Sequence, residues 1–436
     1  MITLLHLSDI HMGSGFAHGH LNPETGLNTR LEDFIAALTR CIDRALAESV
    51  DLVLFGGDAF PDATPPPLVQ QALASQFCRL SAAGIPTVLL VGNHDQHAQG
   101  MGGASLSIYR TLGVPGVVVG DRLESHRLDT TNGPVQIVTL PWLTKSTLLT
   151  RPETEGLSMA QVNELLLDRL RVALEGEIRR LDPEIPAILL AHAMVDTATY
   201  GAERFLSAGR GFTVPMAMLA RPCFDYVALG HVHRHQVLCE QPLMIYPGSI
   251  ERVDFSEESE EKGYLLVQVS KDNAQAEFCP LPVRPFKTIQ ADLTQAENPQ
   301  ACLENAIAKA EITDAVVRCL YTLRADQVDQ IDQTALETTL AAAHSYTLQP
   351  ELKAQTSRSR LPELGTDSAL DPLAALGAYL ANRSDLEDIA EGMVAAAAAL
   401  MADETDVELP LDETDLALDD LDSLALEETA QQLRLL

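Results

Sequence analysis

The sequence predicts a layered α/β protein, and two features of its first 270 residues indicate this class. Short apolar runs of strand length alternate with longer segments in which apolar residues recur every three or four positions. Several of the apolar runs end in glycine and polar residues, as strands do where they reach the edge of a sheet. Strands separated by helices favour a central sheet covered by helices, and 436 residues suffice for two or three domains.

The elements of this first part can be assigned in order. One helix is predicted in "RLEDFIAALTRCIDRALAES", whose apolar residues at helical spacing are Leu31, Phe34, Ile35, Leu38, Ile42 and Leu46. The predicted strands are "ITLLHLSD", "DLVLFGGD", "TVLLVGNH", "VQIVTLP", "AILLAHA", "YVALGHVH", "LMIYPGS" and "YLLVQVS". Because the later strands have short connections, we expect them to add antiparallel strands to a second sheet.

The pattern changes from Arg284 onward. Strand, helix, strand, helix and strand follow one another there, which predicts a small α+β module. We expect a domain at 1–280, this module at 281–356, a linker at 357–370, a helical segment at 371–402 and an acidic tail at 403–436. The tail from Asp403 to Glu428 contains many carboxylates and neither lysine nor arginine, which is typical of a disordered or conditionally folding segment.

The composition limits the classes of function. With 30 basic and 62 acidic residues the net charge is −32, which disfavours passive binding to nucleic acid, since such binding depends on neutralising phosphates. Seven cysteines, an odd number without CxxC spacing, indicate reduced thiols and argue against cysteine-bound zinc. The start lacks a basic region and a cleavage site, so we expect no signal peptide and a cytoplasmic protein, associated with the nucleoid if the source is bacterial.

Five short motifs follow predicted strands and carry side chains of the types that ligate metals. The motifs are "LSDIH" with Asp9 and His11, "FGGD" with Asp58, "GNHD" with Asn93 and His94, "LLAHA" with His192, and "GHVH" with His231 and His233. Ligands in open α/β sheets bind where the strands end, and these donors suit Mn²⁺, Fe²⁺ or Zn²⁺. Taken singly, each motif has an ordinary explanation as a polar loop, a turn or a histidine at the edge of the core. The ordered set of five predicts a metal centre.

In these motifs the sequence resembles the calcineurin-like metallophosphoesterase superfamily, and within it the Mre11/SbcD DNA repair nucleases. The narrower resemblance depends on "YPGSIERVDFSEESEEKGYLLV", which follows "GHVH" and is similar to a PGS-x-x-R-x-[DE]-F segment of those nucleases. The resemblance covers residues 1 to about 290. It implies a metallophosphoesterase β-sandwich flanked by helices, with a small α+β capping domain and a helical C-terminal tail.

The resemblance implies a role for each motif residue. One metal would be held by Asp9, His11 and His233, and the other by Asn93, His192 and His231, with Asp58 bridging the two. His94 would be the catalytic histidine rather than a ligand.

Other positions are less settled. Ser249 and Arg252 resemble residues that contact the DNA backbone phosphate, although Arg252 could instead pair with a carboxylate of "SEESEE". The family often has a carboxylate three positions after Asp58, where Pro61 stands here, so Asp62 or another group must orient His94. Three further histidines have no role from the motifs and are expected at the surface or beside the site, namely His18, His20 and His235.

The resemblance implies an Mn²⁺-dependent DNA exonuclease and endonuclease that hydrolyses phosphodiesters with two metal ions. It would work as a homodimer with an SbcC/Rad50-like coiled-coil ATPase, which would supply the grip on DNA that an acidic chain lacks. We expect the ATPase to bind "DPLAALGAYLANRSDLEDIAEGMVAAAAALM", where Leu373, Leu376, Leu380, Ile389, Met393 and Leu400 form apolar stripes. The dimer would use "PLVQQALASQFCRLSAAG" and "GASLSIYRTLG", with contacts from Leu68, Leu73, Phe77 and Leu80 that could equally be ordinary core.

Two other functions fit the same motifs. A stand-alone metallophosphoesterase acting on nucleotides or phosphoproteins would have the same metal ligands, and the acidic charge would suit it. A scaffold that kept the fold without activity is disfavoured, because all seven ligand positions and His94 are filled.

Overall fold

The computed structural model describes residues 1–97, 103–144, 154–201, 212–353, 372–381 and 387–403. The chain divides into two compact units, Met1–Lys353 and Ala354–Leu436. Among the described residues, no helix is both long enough and apolar enough to cross a membrane. All seven cysteines are free thiols.

Within its described residues, the first unit contains seventeen strands. In chain order they are β1 (Ile2–Leu7), β2 (Leu52–Phe55), β3 (Thr87–Leu90), β4 (Val117–Gly120), β5 (Glu124–Thr130), β6 (Gly133–Leu140), β7 (Ala187–His192), β8 (Met194–Val195), β9 (Thr213–Val214), β10 (Tyr226–Gly230), β11 (Gln236–Glu240), β12 (Leu243–Tyr246), β13 (Gly263–Ser270), β14 (Asn273–Pro280), β15 (Phe286–Asp292), β16 (Val316–Leu323) and β17 (Ser345–Leu352).

The helices alternate with these strands. They are α1 (Thr29–Ala47), α2 (Pro67–Ala82), α3 (Ser107–Leu112), α4 (Met159–Ile178), α5 (Met216–Leu219), α6 (Pro299–Ala308), α7 (Gln333–Thr339), α8 (Pro372–Ala381) and α9 (Glu387–Asp403). Short 3₁₀ turns lie at Phe16–His18, Phe255–Glu257 and Ala325–Gln330. Asn28 caps the start of helix α1, because its side chain accepts a hydrogen bond from the backbone of Arg30 at 2.9 Å.

Two six-stranded sheets pack face to face. Their strand orders are β14-β13-β1-β2-β3-β4 and β11-β12-β10-β7-β6-β5. The core between them consists of mostly apolar strand faces, with Leu4, Leu54 and Val88 on one side and Ile188 and Ala228 on the other. Helices α1, α2 and α3 cover the outer face of the first sheet, and α4 covers that of the second. The predicted fold class, an α/β sandwich of two sheets flanked by helices, is confirmed.

The position of the last hairpin corrects one detail of the prediction. We expected the later strands to add antiparallel strands to the second sheet. Strands β11 and β12 extend it, but only β11 is antiparallel to its neighbour, whereas β12 runs parallel to β10. Strand β13 instead pairs antiparallel with β1, so the hairpin β13–β14 extends the first sheet. The reason is packing: Leu265, Val267 and Val269 of β13 face the same core between the sheets as Leu4 of β1.

Helix α2 packs most of its apolar residues inward. Leu73, Phe77 and Leu80, considered above as possible dimer contacts, belong to the core beneath the helix and are 0–2% exposed. Leu68 is 49% exposed. The alternative that these three residues are ordinary core is therefore the correct one.

The small α+β module consists of the five elements that the sequence predicts. Strands β15, β16 and β17 form a parallel three-stranded sheet in that order. Helices α6 and α7 pack against it through a separate core that includes Ile289, Leu303, Val317 and Leu336. Arg284, just before β15, pairs with Asp33 of α1 through two hydrogen bonds of 2.7 Å and thereby ties the module to the sandwich.

In the second unit, α8 and α9 lie within the predicted helical segment. Leu380 is 3% exposed, whereas Ile389 and Met393 of α9 are 53% and 41% exposed. The side chain of Leu400, the predicted linker at 357–370 and the acidic residues from 404 onward lie outside the described residues.

Candidate metal centre

The five motifs meet at one place because their strands end at the same edge of the sandwich. Strands β1, β2 and β3 run parallel in the first sheet, as do β7 and β10 in the second. The two edges are joined there: the backbone N–H of His231 donates to both carboxylate oxygens of Asp9 at 3.1 Å. Side chains that are distant in the sequence therefore converge.

The first group of converging side chains is Asp9, His11 and His233. One ligand atom from each lies within 4.8 Å of the others, and all three residues are buried. The Nε2 atoms of His11 and His233 are 3.0 Å apart. This is the set that the family resemblance implies for one metal.

The second group surrounds Asn93, whose Oδ1 lies 2.9 Å from both His192 Nε2 and His231 Nδ1. Asp58 lies between the groups, because its Oδ2 is 3.3 Å from His192 Nε2 and 3.7 Å from His11 Nε2. The structure thus brings together all seven residues predicted as ligands, with Asp58 in the bridging position.

The hydrogen bonds behind the cluster test whether these residues fit metal ions. His192 Nδ1 lies 2.7 Å from the carbonyl oxygen of Gly56, and His233 Nδ1 lies 2.6 Å from a carboxylate oxygen of Glu257. Because both partners accept, each ring in its neutral form carries the proton on Nδ1 and presents the lone pair of Nε2 to the cluster. Lone pairs and carboxylates facing one another repel unless a cation lies between them. The donor set therefore fits a pair of divalent ions.

The electrostatics of the site follow from burial and from the opposed charges. Burial alone would raise the pKa of Asp58, but His192, His94 and His11 hold it well below its usual value. Burial, together with the neighbouring His192, lowers the pKa of His231 well below its usual value. The bridging carboxylate therefore stays ionised and His231 stays neutral, as metal ligands require.

The backbone is strained where it carries the ligands. Asp9, His11, Asp58 and His231 have φ angles of 52°, 47°, 58° and 106°, a region that residues other than glycine seldom adopt. Such strain is typical of functional sites, where the surrounding structure holds it in place. Glycines make room nearby: a Cβ atom on Gly92 would collide with the carboxylate of Asp58.

Asp95, the last residue of "GNHD", holds two of the strand ends together. Its carboxylate accepts hydrogen bonds from the backbone N–H groups of Asp58 and Gly92 at 2.9 Å and of Ala59 at 3.1 Å. Burial and the charge of Asp58 raise the pKa of Asp95 to about 6. The sequence motif does not by itself show this role, although the place of Asp95 directly after Asn93 and His94 is a usable signal.

His94 lies at the wall of the cavity and is oriented by a carbonyl group. Its Nδ1 is 2.7 Å from the carbonyl oxygen of Pro61, and its ring packs edge-on against His11 at 4.9 Å between centroids. Asp62 does not reach it, because the Asp62 carboxylate accepts hydrogen bonds from the backbone and hydroxyl of Thr64 at 2.7 and 2.8 Å. The missing carboxylate is thus replaced by the backbone of Pro61.

Ser249 and Arg252 lie beside the centre but are engaged with the protein. Ser249 is buried, and its hydroxyl is 3.3 Å from Glu257 Oε2. The guanidinium of Arg252 donates to the carbonyl oxygens of Glu257, Glu260 and Arg284 at 3.2, 2.8 and 3.0 Å. Arg252 therefore bonds backbone carbonyls rather than a carboxylate of the acidic run. Contact of either residue with DNA stays a prediction.

The remaining histidines pack elsewhere, and none belongs to the groups with metal-ligand geometry among the described residues. His18 contacts Phe255, His20 contacts His344, and His235 stacks on Phe278 at 4.2 Å between centroids. Trp142, the single tryptophan, was missed by sequence reasoning and packs 4.8 Å from the ring of His231.

The open part of the site is a cavity of about 120 Å³. It is lined by His11, Ser14, Asp58, Pro61, Asn93, His94, His231, His233, Val253, Asp254 and Glu257. A cavity of this size next to converging ligands can admit a phosphate group.

Comparisons with known proteins agree with this fold and these motifs. A family model described as "Calcineurin-like phosphoesterase" matches residues 2–235. The chain is 27% identical over 308 residues to the uncharacterized metallophosphoesterase YhaO of Bacillus subtilis, a match that covers 70% of this chain and 66% of that relative, slightly less than two thirds of its length.

Solved structures with some similarity include a dimetal phosphatase from Danio rerio, at 12% identity and a TM-score of 0.35 over 64% of this chain and 95% of the other. A purple acid phosphatase from yellow lupin (Lupinus luteus) seeds has 13% identity and a TM-score of 0.37 over 64% of this chain and 51% of the other.

Proposed function

We propose that this chain, which belongs to the calcineurin-like phosphoesterase family, is a DNA nuclease that hydrolyses phosphodiester bonds at its metal centre. We place it with the Mre11/SbcD-type repair nucleases and infer Mn²⁺ as the metal. The proposed substrate is DNA, which the chain would degrade from duplex ends as an exonuclease and cut within single strands as an endonuclease.

The chemistry depends on the seven ligands and His94. Two divalent ions, when bound, would neutralise phosphate charge and make water nucleophilic at neutral pH. Asp9, His11 and His233 would hold one ion, Asn93, His192 and His231 the other, and Asp58 both.

His94 has a separate task in this proposal. The carbonyl of Pro61 fixes the proton of His94 on Nδ1 and leaves Nε2 as the atom that can hold or deliver a second proton. A protonated Nε2 beside the scissile phosphate would stabilise developing charge or protonate the leaving oxygen.

The observation that carries the choice of DNA is the way the small module is joined to the wall of the site. Val253, Asp254 and Glu257 line the cavity. The neighbouring Glu258 accepts a hydrogen bond from the backbone of Thr288 in β15 at 3.0 Å, and Phe255 lies 4.3 Å beneath the guanidinium of Arg318 in β16. A substrate that reaches the cavity from this side passes along the module. A long polymer makes use of such a surface, and a small phosphoester does not need it.

A second candidate is a stand-alone phosphoesterase for nucleotides or phosphoproteins, and the net charge of −32 favours it. If DNA is the substrate, this negative charge opposes its binding, and a partner must supply contacts with DNA. We therefore propose a coiled-coil ATPase of the SbcC/Rad50 type as partner, together with a homodimer of this chain and a cytoplasmic location.

The test compares substrates for the Mn²⁺-loaded chain. We expect hydrolysis of single-stranded circular DNA and of bis-p-nitrophenyl phosphate, with slower hydrolysis of p-nitrophenyl phosphate, and loss of all three activities in Asp58→Ala. Cleavage of both small substrates without any cleavage of DNA, at low as well as moderate salt and with a coiled-coil ATPase and ATP present, would instead support the stand-alone phosphoesterase.

A further inference from the structure

Glu257 is the only acidic residue of the "SEESEE" run that is buried. It ends the 3₁₀ turn Phe255–Glu257, and its side chain is 4% exposed. One carboxylate oxygen lies 2.6 Å from His233 Nδ1. The other accepts hydrogen bonds from the backbone of Val253 at 3.1 Å and the hydroxyl of Ser249 at 3.3 Å. In the sequence this residue is indistinguishable from its solvated neighbours.

Lys262 supports the same carboxylate from behind. Its side chain is fully buried, and its Nζ lies 2.7 Å from Glu257 Oε2, 2.8 Å from Glu260 Oε2 and 3.1 Å from the carbonyl oxygen of His233. A buried ammonium is costly unless it is paired and hydrogen-bonded, and here all three of its hydrogens have acceptors. Lys262 thus fixes both the carboxylate of Glu257 and the backbone of His233.

Arg252 fixes the backbone of the turn that carries Glu257 by donating hydrogen bonds to the carbonyl oxygens of Glu257 and Glu260. The segment "PGSIERVDFSEESEEK" (residues 247–262) therefore folds around a single carboxylate. Ser249, Arg252 and Lys262 all contact Glu257 or the turn that carries it. This arrangement gives Ser249 and Arg252 a function that requires no contact with DNA.

The two metal groups differ in how their histidines are held. His192 Nδ1 is bonded to the backbone carbonyl of Gly56, which no substitution removes, whereas His233 Nδ1 depends on the side chain of Glu257. A carboxylate behind a ligating histidine fixes the ring orientation and tautomer and makes the other nitrogen a better donor.

We propose that Glu257, held by Lys262, is the positioning residue that sets metal affinity in the group formed by Asp9, His11 and His233. The inference rests on the metal centre of the proposed function and is independent of DNA as the substrate. Loss of Glu257 removes the acceptor that fixes His233 Nδ1, so the effect falls on one metal of the two.

The experiment measures bound Mn²⁺ by equilibrium dialysis and elemental analysis in Glu257→Ala, Glu257→Gln and Lys262→Met. We expect Glu257→Ala to bind one equivalent as the unchanged chain does and the other about 10- to 100-fold more weakly. The affinity of Glu257→Gln for the weaker equivalent should lie between those of the unchanged chain and Glu257→Ala, because an amide oxygen still accepts a hydrogen bond from His233 Nδ1–H. The matched control is Glu261→Gln, an exposed neighbour, which should bind both equivalents normally.

Trp142 supplies a readout for the other group, because it lies 4.8 Å from His231 and 6.0 Å from His192. Quenching of its fluorescence by Co²⁺ should have the same midpoint in Glu257→Gln as in the unchanged chain. Two equivalents bound with full affinity in both Glu257 variants would overturn the proposal. So would equal weakening of both equivalents in Glu257→Gln with its melting temperature in EDTA unchanged. If the unchanged chain binds no metal, the metal centre itself is wrong, whereas failure to cleave DNA leaves this result untouched.

Discussion

Single side chains at the centre divide into those that would hold a cation and His94, which the backbone of Pro61 orients. This division predicts different failures. Asp58→Ala should lose bound metal, because Asp58 lies within 3.7 Å of histidine nitrogens from both groups. His94→Gln should keep both metals and lose about 10²- to 10⁴-fold in turnover of bis-p-nitrophenyl phosphate, the usual contribution of a proton-transferring residue. Metal content by elemental analysis separates the two outcomes.

The control for this pair is Asp62→Asn. Asp62 bonds Thr64 and not His94, so this variant should keep normal turnover. A large loss of turnover in Asp62→Asn would show that the Asp62 carboxylate, and not the carbonyl of Pro61, orients His94. Loss of metal in His94→Gln would make His94 a ligand.

His6 gives a second prediction at this scale, and it concerns stability. His6 is fully buried between the sheets with Nδ1 2.8 Å from the hydroxyl of Tyr226, and burial lowers its pKa from 6.5 to about 3. Between these values the unfolded chain binds a proton at this position that the folded chain does not, so stability falls as pH falls below about 6.5.

Urea unfolding at pH 7 and pH 5.5 in EDTA checks this. Between pH 7 and pH 5.5 the free energy of unfolding of the unchanged chain should fall by about 1 kcal/mol more than that of His6→Asn, in which position 6 cannot titrate. The comparison uses the change with pH, so any constant destabilisation by the substitution cancels. Equal losses in both proteins would mean that His6 accepts a proton in the folded state.

At the scale of elements, the sequence alone predicted both a strand and a site residue wherever an apolar run ended in a side chain of a metal-ligating type. Each ligand motif follows a buried strand, so strand ends and site could be found together. Glu257 could not be predicted as part of the site, because a glutamate in an acidic run is expected to be solvated. Only the structure shows that the turn Phe255–Glu257 directs it inward. The pairing of β13 with β1 was also out of reach, since alternation shows that a strand is buried but not which sheet it joins.

Helix α2 shows the same limit and yields a prediction. Helical spacing identified Leu73 as apolar and inward-facing but could not say whether it faces its own core or a partner. Because it is fully buried, Leu73→Ala should lower the free energy of unfolding by about 2–5 kcal/mol. Leu68 and Leu112 are 49% and 70% exposed, so Leu68→Glu with Leu112→Glu should change it little.

Light scattering at micromolar concentration tests the proposed dimer with the same variants. If the chain pairs through α2 and α3, the double glutamate variant should have the mass of one chain while the unchanged protein has the mass of two. A single-chain mass for the unchanged protein would argue against the dimer, and a dimer that survives both charges would place it on another surface.

At the scale of the whole molecule, the chain separates its predicted chemistry from its proposed partner surface. All the residues of the metal centre and the small module lie within Met1–Lys353, the first compact unit. The second unit contains α8 and α9, where Ile389 and Met393 stand four positions apart and are both exposed. Residues so spaced lie on one face of a helix and are the kind that insert into a groove on a partner.

Truncation after Glu363 should therefore leave metal-dependent hydrolysis of small phosphodiesters unchanged and abolish binding to a coiled-coil ATPase. The charge gives the reason that DNA resection should be lost with it: a chain of −32 repels phosphates, so the sequence-independent grip on DNA must come from the partner. Ile389→Glu with Met393→Glu in the full chain should reproduce the loss of ATPase binding in a pull-down. Glu391→Gln, on the same exposed helix, should not. A double variant that still binds the ATPase would move the docking site off α9, and a truncated chain that loses hydrolysis of the small diester would show that the second unit supports the metal centre itself.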